Sequence, residues 1–425
     1  MWKFPDPISW IPPDNAGRAL MRFIIASLNA ESPQDTARIF CEFMEPHQDD
    51  LHWYFKYILG LAKHFPRIFA AIFCMGTSLF FTRRFIAANG DRDVARIVPR
   101  TMRAGLKANF DILGEAVTSE KQAQCYAQSY LALIKQLMTL MPPGEEISVS
   151  LKPSAFYSQA QATSPEYAAQ EIVKCIGPVI SLLEKVGGHA YLDAEESEML
   201  ETQKFVFKTL YQRHGSTVRF VLQAYLKDSF EVLRWLISIN NPQDPIRLRL
   251  VRGAYWDHEC MHAQKMGWDD PPVFTDKDET DLMYHVLLWQ GMRHGLVVNL
   301  GTHNIQSILN SVNSYISLRA WGHFCHMPEF QMLHGMPGVP KFSKVLRAKG
   351  YSVRIYKPIR YPAGDMNEAM AYLVRRILEN QSQASFLVQH AGFKMREASD
   401  CLGRMPALKD TPNMIKKYRL PKEEL

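Results

Sequence analysis

The sequence predicts an α/β fold built as a (β/α)8 barrel, with a helical arm ahead of it. Three observations predict this. From about residue 105, short apolar or β-branched runs alternate with longer helical patterns, eight times, at intervals of roughly 25–50 residues. No GxGxxG or GxxxxGKS/T segment occurs, so the alternative of a doubly wound open sheet lacks its usual phosphate loop. Polar and charged residues close one strand after another, which is where a parallel barrel gathers its chemistry.

The elements follow in order. Residues 1–100 read as a helical arm or linker region, rich in aromatics, with Ser32-Pro33-Gln34-Asp35 as a helix start: a serine cap, proline at the first position and an acid in the first turn. Residues 101–395 read as the barrel and 396–425 as a C-terminal tail. The strands are placed at 110–113, 147–151, 189–192, 219–222, 246–251 and 297–300, then a weak one at 322–325 and the last at 352–355. Helical stretches cover 165–186, 226–239 and, after the last strand, 366–380. Asp111, Glu115, Lys152, Asp193, Gln223, Arg249, Arg252, Thr302, His303, Glu329 and Tyr356 stand at or just after the expected strand ends. Any one of them is explained by a strand meeting water; the whole series points to a site.

Composition narrows the function classes. Of 425 residues, 47% are hydrophobic and 22% charged, which excludes intrinsic disorder. Seven cysteines without a CxxC pair exclude a small disulfide scaffold and fit a reducing, cytoplasmic setting. The net charge of +6 is spread along the chain, with no stripe suited to tracking nucleic acid. The first residues carry prolines and an acid where a signal peptide has an apolar core. The longest apolar stretch, 68–81, is 14 residues long, below the roughly 20 a spanning helix needs. It reads either as a buried or oligomer-facing helix, or as one lying on a membrane surface.

Three motifs carry candidate chemistry. Tyr372, Arg375, Arg376 and Glu379 fall at i, i+3, i+4 and i+7 of one helix and form a polar stripe: a solvated face, or an anion clamp in which guanidinium groups grip a carboxylate. Strand alternation in Arg249-Leu250-Val251-Arg252 sets Arg249 and Val251 on one face, and an arginine inside a barrel is costly without a partner or ligand. Tyr255 and Trp256, next along, pack on a flat cofactor or cap the barrel. His258-Glu259-Cys260-Met261-His262 matches HExxH, but no third zinc ligand is evident, so an exposed helix start with Asp257 and Glu259 near its positive end is the simpler reading.

The ordered series Ser150–Ser154, Leu192–Glu196, Leu222–Tyr225, Arg249–Asp257, Gly301–Asn304, Glu329–Met336 and Tyr372–Asn380 resembles the proline dehydrogenase domain of bacterial proline utilization A flavoproteins, over about residues 105–390. The resemblance implies a distorted (β/α)8 TIM-type barrel that binds FAD non-covalently and oxidises L-proline to Δ1-pyrroline-5-carboxylate by hydride transfer to flavin N5. It places Gln223, Arg249, Arg252, Gly253, Trp256, Thr302, His303 and Glu379 at the flavin, with Arg249 near N5. Lys152, Arg375 and Arg376 match the grip on the substrate carboxylate, and Asp193 the acid that orients it. Tyr255, Leu333, Tyr356 and Tyr372 match the walls around the ring, and Glu115 the ion-pair partner of Arg375.

Retention of Tyr356 favours proline over hydroxyproline; the alternatives are another cyclic imino acid such as pipecolate, or a non-catalytic, membrane-docked barrel. The resemblance also implies ubiquinone or a similar membrane acceptor, peripheral contact with the cytoplasmic face of the inner membrane, and a separate pyrroline-5-carboxylate dehydrogenase, since the chain ends some 45 residues after Asn380. Residues 357–365 read as a loop longer than is usual in the family.

Overall fold

Each barrel strand has one apolar face, and burying these faces against helices decides the architecture. In β2 (Lys107–Ile112), β3 (Ser148–Leu151), β4 (His189–Leu192), β5 (Val218–Gln223), β6 (Arg247–Val251), β7 (Val297–Gly301), β8 (Phe330–Leu333) and β9 (Val353–Arg360), every second residue is apolar, Lys357 excepted. Phe110, Leu151, Leu192, Phe220, Leu250, Leu300 and Phe330 are all at most 1% exposed. The computed structural model describes residues 19, 23, 32–49, 53–73, 85–114, 117–160, 164–336, 338–362 and 400–417. All strand pairings in its sheet are parallel, from β2 through to β9, and β9 pairs with both β8 and β2, which closes an eight-stranded barrel. A ninth, two-residue strand, β1 (Ala88–Asn89), pairs with Ile359 and Arg360 of β9.

Helices cover the outside. Glu120–Leu140 and Pro165–Lys185 bury Leu133, Ile134, Leu137, Ile172, Ile176, Ile180 and Leu183. At the turn from the second of these into β4, a Cβ on Gly188 would lie 2.8 Å from the Ile147 carbonyl oxygen, so the close return of the chain demands glycine there.

The chain divides into two compact units, Met1–Ile86 with Asp365–Asp400 and Ala87–Gly364 with Cys401–Leu425. In the first unit, Ser32 caps the helix Pro33–Met44 by accepting from the Asp35 N–H at 3.1 Å. Rings of Phe23, Phe40, Phe69 and Phe73 cluster at centroid separations of 4.6–6.3 Å. Phe69 and Ala70, in the described part of the apolar 68–81 segment, are buried, while Ile68 and Ile72 are half exposed. Among the described residues, no helix is long and apolar enough to cross a membrane. In the second unit, Cys401–Lys417 is docked on the barrel: Tyr351 donates to the Pro406 carbonyl at 2.7 Å, and Leu402 and Met405 are buried. The second unit also takes in the helix Asp91–Arg103, ahead of the boundary expected at 101.

Three expectations are corrected. The eighth strand is not 322–325, where Gly322 turns with φ +87° and Phe324 is 67% exposed; Phe330–Leu333 fills that place because Phe330 and Met332 bury outward while Gln331 points in. Glu329 therefore stands at the start of β8, at the opposite end from the strand mouths, and takes a two-point grip from Arg354 (Nε–Oε1 2.6 Å, Nη2–Oε2 3.2 Å). Residues 357–360 extend β9 instead of opening a loop.

The HExxH segment lies on the helix Trp256–Met266, but Glu259 is 2% exposed, not surface-lying. It accepts from the backbone N–H and hydroxyl of Ser197, both at 2.6 Å, and so caps the turn Ser197–Met199. Among the described residues, no group of three metal-ligating side chains occurs.

Burial acts to raise the Glu329 carboxyl, but Arg354 outweighs it and brings the group down to about 2. Its stabilisation is therefore present above pH 4.5 and lost as pH falls towards 2. Arg354→Met, which strands this buried carboxylate, is expected to cost about 3–5 kcal/mol in denaturant unfolding. Glu329→Gln is expected to flatten the acid-side decline; a decline unchanged in that variant would assign it to other carboxylates.

Candidate active site

The inward face of the barrel is polar where most barrels carry branched apolar residues. Arg249, midway along β6, is 4% exposed and reaches across the lumen. Its Nη1 donates to Asp193 at 2.8 Å and to the Ser150 hydroxyl at 3.0 Å, and its Nε donates to Gln331 at 2.7 Å. Asp193, one residue past the end of β4, accepts from the Tyr356 hydroxyl on its other oxygen at 2.9 Å. The guanidinium carbon lies 3.9 Å from the centroid of the Tyr191 ring and 5.2 Å from that of Tyr356. Contacts on three sides hold this cation in one place. Its Nη2, which is buried, has no hydrogen-bond acceptor among the described residues.

The loops after the strands complete the mouth. Lys152 follows β3, with its ammonium 3.6 Å from Asp111 and 3.3 Å from the Gly114 carbonyl. Beside it, Glu195 accepts from both the backbone N–H and the hydroxyl of Ser154, tying the loops after β3 and β4 together. Burial raises the Glu195 carboxyl to about 7, against the opposing pull of Ser154. Gln223, at the end of β5, donates to the Glu195 carbonyl at 2.8 Å and accepts from the Ala254 N–H at 3.3 Å, so its amide orientation is set.

Gly253 follows β6 with φ +140°, and a Cβ there would run into the Tyr225 ring at 2.4 Å. Arg252 donates to Asp281 at 2.6 Å and to Thr302 and Ser307 at 2.9 Å each, and packs on Tyr284 at 4.7 Å. Although burial acts to raise it, Asp281 is held below the usual carboxylate range by Lys277 and Arg252. His303 Nε2 accepts from the Leu333 N–H at 2.9 Å, joining the ends of β7 and β8. Trp256 directs its indole N–H to the Phe274 carbonyl at 2.9 Å, and Tyr255 directly precedes it.

The structure thus brings Lys152, Asp193, Arg249 and Tyr356 to one end of the lumen, links Arg252 to Thr302 and His303 to Leu333, and ties Gln223 to the loop that carries Gly253. All three nitrogens of Arg252 have partners within the protein, so it braces the loop as well as facing the mouth. Glu115, Tyr372, Arg375, Arg376 and Glu379 lie outside the described residues.

Sequence reasoning missed Tyr191, Ser150, Asn299 and Gln331, which knit the interior, and Glu195, which joins the loops. Period-two alternation was the available signal: it sets Tyr191 on the same face of β4 as Asp193, and Gln331 inside against Phe330 and Met332 outside. A flat, acceptor-rich cofactor such as a flavin fits this arrangement, because the Arg249 Nη2 offers a buried donor that has no acceptor among the described residues.

The family model described as proline dehydrogenase matches residues 95–389. The chain is 29% identical over 296 residues to the bifunctional protein PutA of Escherichia coli, covering 67% of this chain but only 22% of that protein. It is 26% identical over 309 residues to the proline dehydrogenase of Deinococcus radiodurans, covering 72% of this chain and 88% of that one. The structure is similar to proline utilization A from Bdellovibrio bacteriovorus inactivated by N-propargylglycine, with a TM-score of 0.73 and 26% identity over 94% of this chain and 41% of that one.

Glu195 favours its protonated form in the fold, so the stability attached to it is full below pH 4.5 and falls as pH rises from 4.5 towards 7. Thermal melts of wild type and Glu195→Gln across that range are expected to differ in slope, the variant losing the decline. Parallel slopes would mean that Glu195 is ionised throughout.

Proposed function

The chain belongs to the proline dehydrogenase family, and on that premise we propose that it is an FAD-dependent L-proline dehydrogenase producing Δ1-pyrroline-5-carboxylate. The observation that carries the reading is Arg249: a buried guanidinium inside a barrel of this family, clamped by Asp193, Ser150 and Gln331, whose Nη2 has no acceptor among the described residues.

Arg249 and Gln223 would hold the flavin ring system, with Arg252, Gly253, Trp256, Thr302, His303 and Glu379 holding the rest of the cofactor. When bound, FAD supplies the hydride acceptor that no side chain provides. The protein's work is to orient a small cyclic amino acid by its carboxylate. Lys152 with Arg375 and Arg376 would anchor the carboxylate, since an ammonium and two guanidinium groups match a planar anion. Asp193 holds Arg249 and Tyr356 in register at hydrogen-bond distance, so the wall and the cation keep a fixed spacing. Tyr356 and Leu333, with Tyr255 and Tyr372, would exclude water from the ring. Glu115 would pair with Arg375 to close the site. No protein general base is needed if the substrate binds as the neutral amine, and the amine proton then leaves to solvent.

Electrons would pass to a membrane quinone through peripheral contact, and the imine product would go to a pyrroline-5-carboxylate dehydrogenase activity. The half-exposed apolar residues Ile68 and Ile72 support such contact.

Anaerobic mixing tests the reading. Proline is expected to bleach the flavin absorbance, with hydroxyproline and pipecolate slower. Purified protein without flavin, or flavin that proline leaves oxidised, overturns it. Arg376→Met is expected to raise the KM for proline at least tenfold, or about 1.4 kcal/mol of lost binding; an unchanged KM would remove that residue from the clamp.

A further inference from the structure

Tyr191 is fully buried at the centre of the barrel, and three side-chain donors converge on its phenolic oxygen: Gln331 Nε2 at 2.7 Å, Asn299 Nδ2 at 3.0 Å and Arg219 Nη1 at 3.3 Å. None of the three can turn round to accept. The Gln331 Oε1 is occupied by Arg249 Nε and its Nε2 also serves Glu329, which fixes the amide. The Asn299 Oδ1 accepts from the backbone N–H of Glu329 at 3.2 Å, which fixes that amide. A guanidinium has no acceptor at all. A neutral phenol offers two lone pairs and must place its own proton; a phenolate offers three and has none to place.

The charges around it lead the same way. Arg354 is matched by Glu329 on two bonds, and Arg249 by Asp193. Arg219, 5% exposed on β5, has the half-exposed Glu146 only at 3.9 Å, while the Tyr191 oxygen is nearer at 3.3 Å. His189, two residues back on β4, adds no counter-charge, because burial and the surrounding arginines keep it neutral.

We propose that Tyr191 is a positioning residue whose side chain stands ionised inside the barrel, serving as the counter-anion of Arg219 and as a negatively charged platform beneath Arg249. The O–H bond breaks with its electron pair kept on oxygen, and the proton goes to solvent. The ring then faces the Arg249 guanidinium at 3.9 Å, and an anionic ring holds a stacked cation more tightly than a neutral one. Burial and Glu329 oppose ionisation, and Arg219, Arg249 and Arg354 favour it; the balance lowers the phenol from its ordinary value, although the site is sealed from water. By contrast, burial raises the phenols of Tyr126, Tyr130, Tyr225 and Tyr284, so a tyrosinate near neutral pH would stand apart from them. The ionisation rests on barrel geometry alone; only its effect on Arg249 at the flavin rests on the proposed function.

The test is carbon NMR of the full-length holoprotein labelled at the tyrosine ζ carbon. Among the 17 tyrosines, one resonance is expected at the tyrosinate position near neutral pH, and it should be missing from Tyr191→Phe. Arg219→Met, which removes one donor, is expected to move the ionisation of the same resonance to higher pH. All resonances remaining phenolic up to pH 9 in wild type would overturn the proposal, with no variant needed. In flavin-loaded protein, Tyr191→Phe is expected to raise the flavin midpoint potential, because a negative charge near the ring is lost. An unchanged potential alongside a clear tyrosinate would overturn the positioning role. Absence of bound flavin would overturn the proposed function and leave the NMR result standing.

Discussion

A guanidinium sealed inside a parallel barrel is the constraint on which the rest of this molecule depends. Arg249 has almost no contact with water, and an uncompensated charge there would cost several kcal/mol. Its partners come from β3, β4 and β8 and from the loop after β4, so the strands must hold their register around the whole circle for the cation to be satisfied. Stability and site geometry are thus one problem. The outer apolar faces drive closure, and the inner polar network specifies a single closed arrangement.

Charged clusters stand at both ends of the lumen. At the start of the strands, Arg354 pairs with Glu329 and Glu146, Lys107 stands 3.6 Å from Glu329, and the buried Arg219 Nε and Arg247 Nε have no acceptor among the described residues. At the ends of the strands, Lys152 pairs with Asp111 and Arg249 with Asp193, and the Arg249 Nη2 has no acceptor among the described residues. Unmatched donors alone therefore do not single out one end; the mouth reads as the site because the loops after the strands gather their polar groups there, in line with the general placement of chemistry in this fold. Tyr191, Asn299 and Gln331 lie between the two clusters and connect them, so changes at the base reach the mouth through hydrogen bonds.

Much of this is legible in the chain. Period-two alternation identifies seven of the eight strands and places Arg249 inside, because burying Leu250 outward leaves its neighbours no other face. The eighth strand escapes it: Gly322–Cys325 has a strand's local composition, yet Phe324 is exposed, and only pairing with β7 and β9 distinguishes Phe330–Leu333. Glu259 shows the same limit. Its spacing from two histidines suggests a helix-start acid or a metal motif, while its bonds go to Ser197, 62 residues earlier. Ordered motifs, by contrast, are carried wholly by residue identity and order, which is why the family resemblance is visible in the chain alone.

By itself, then, the sequence determined the class of fold, the family and, for seven of the eight barrel strands, the face on which the strand residues lie, since these follow from periodicity and from motif order along one chain. Only the tertiary structure decided which polar groups satisfy one another. Arg249 with Asp193 and Ser150, Glu329 with Arg354, Glu195 with Ser154 and Tyr191 with its three donors are pairings across 25 to 140 residues of sequence. The physical reason is range. Apolar alternation records a local choice of face, whereas a hydrogen bond requires two groups at about 3 Å, a distance that exists only once the barrel has closed.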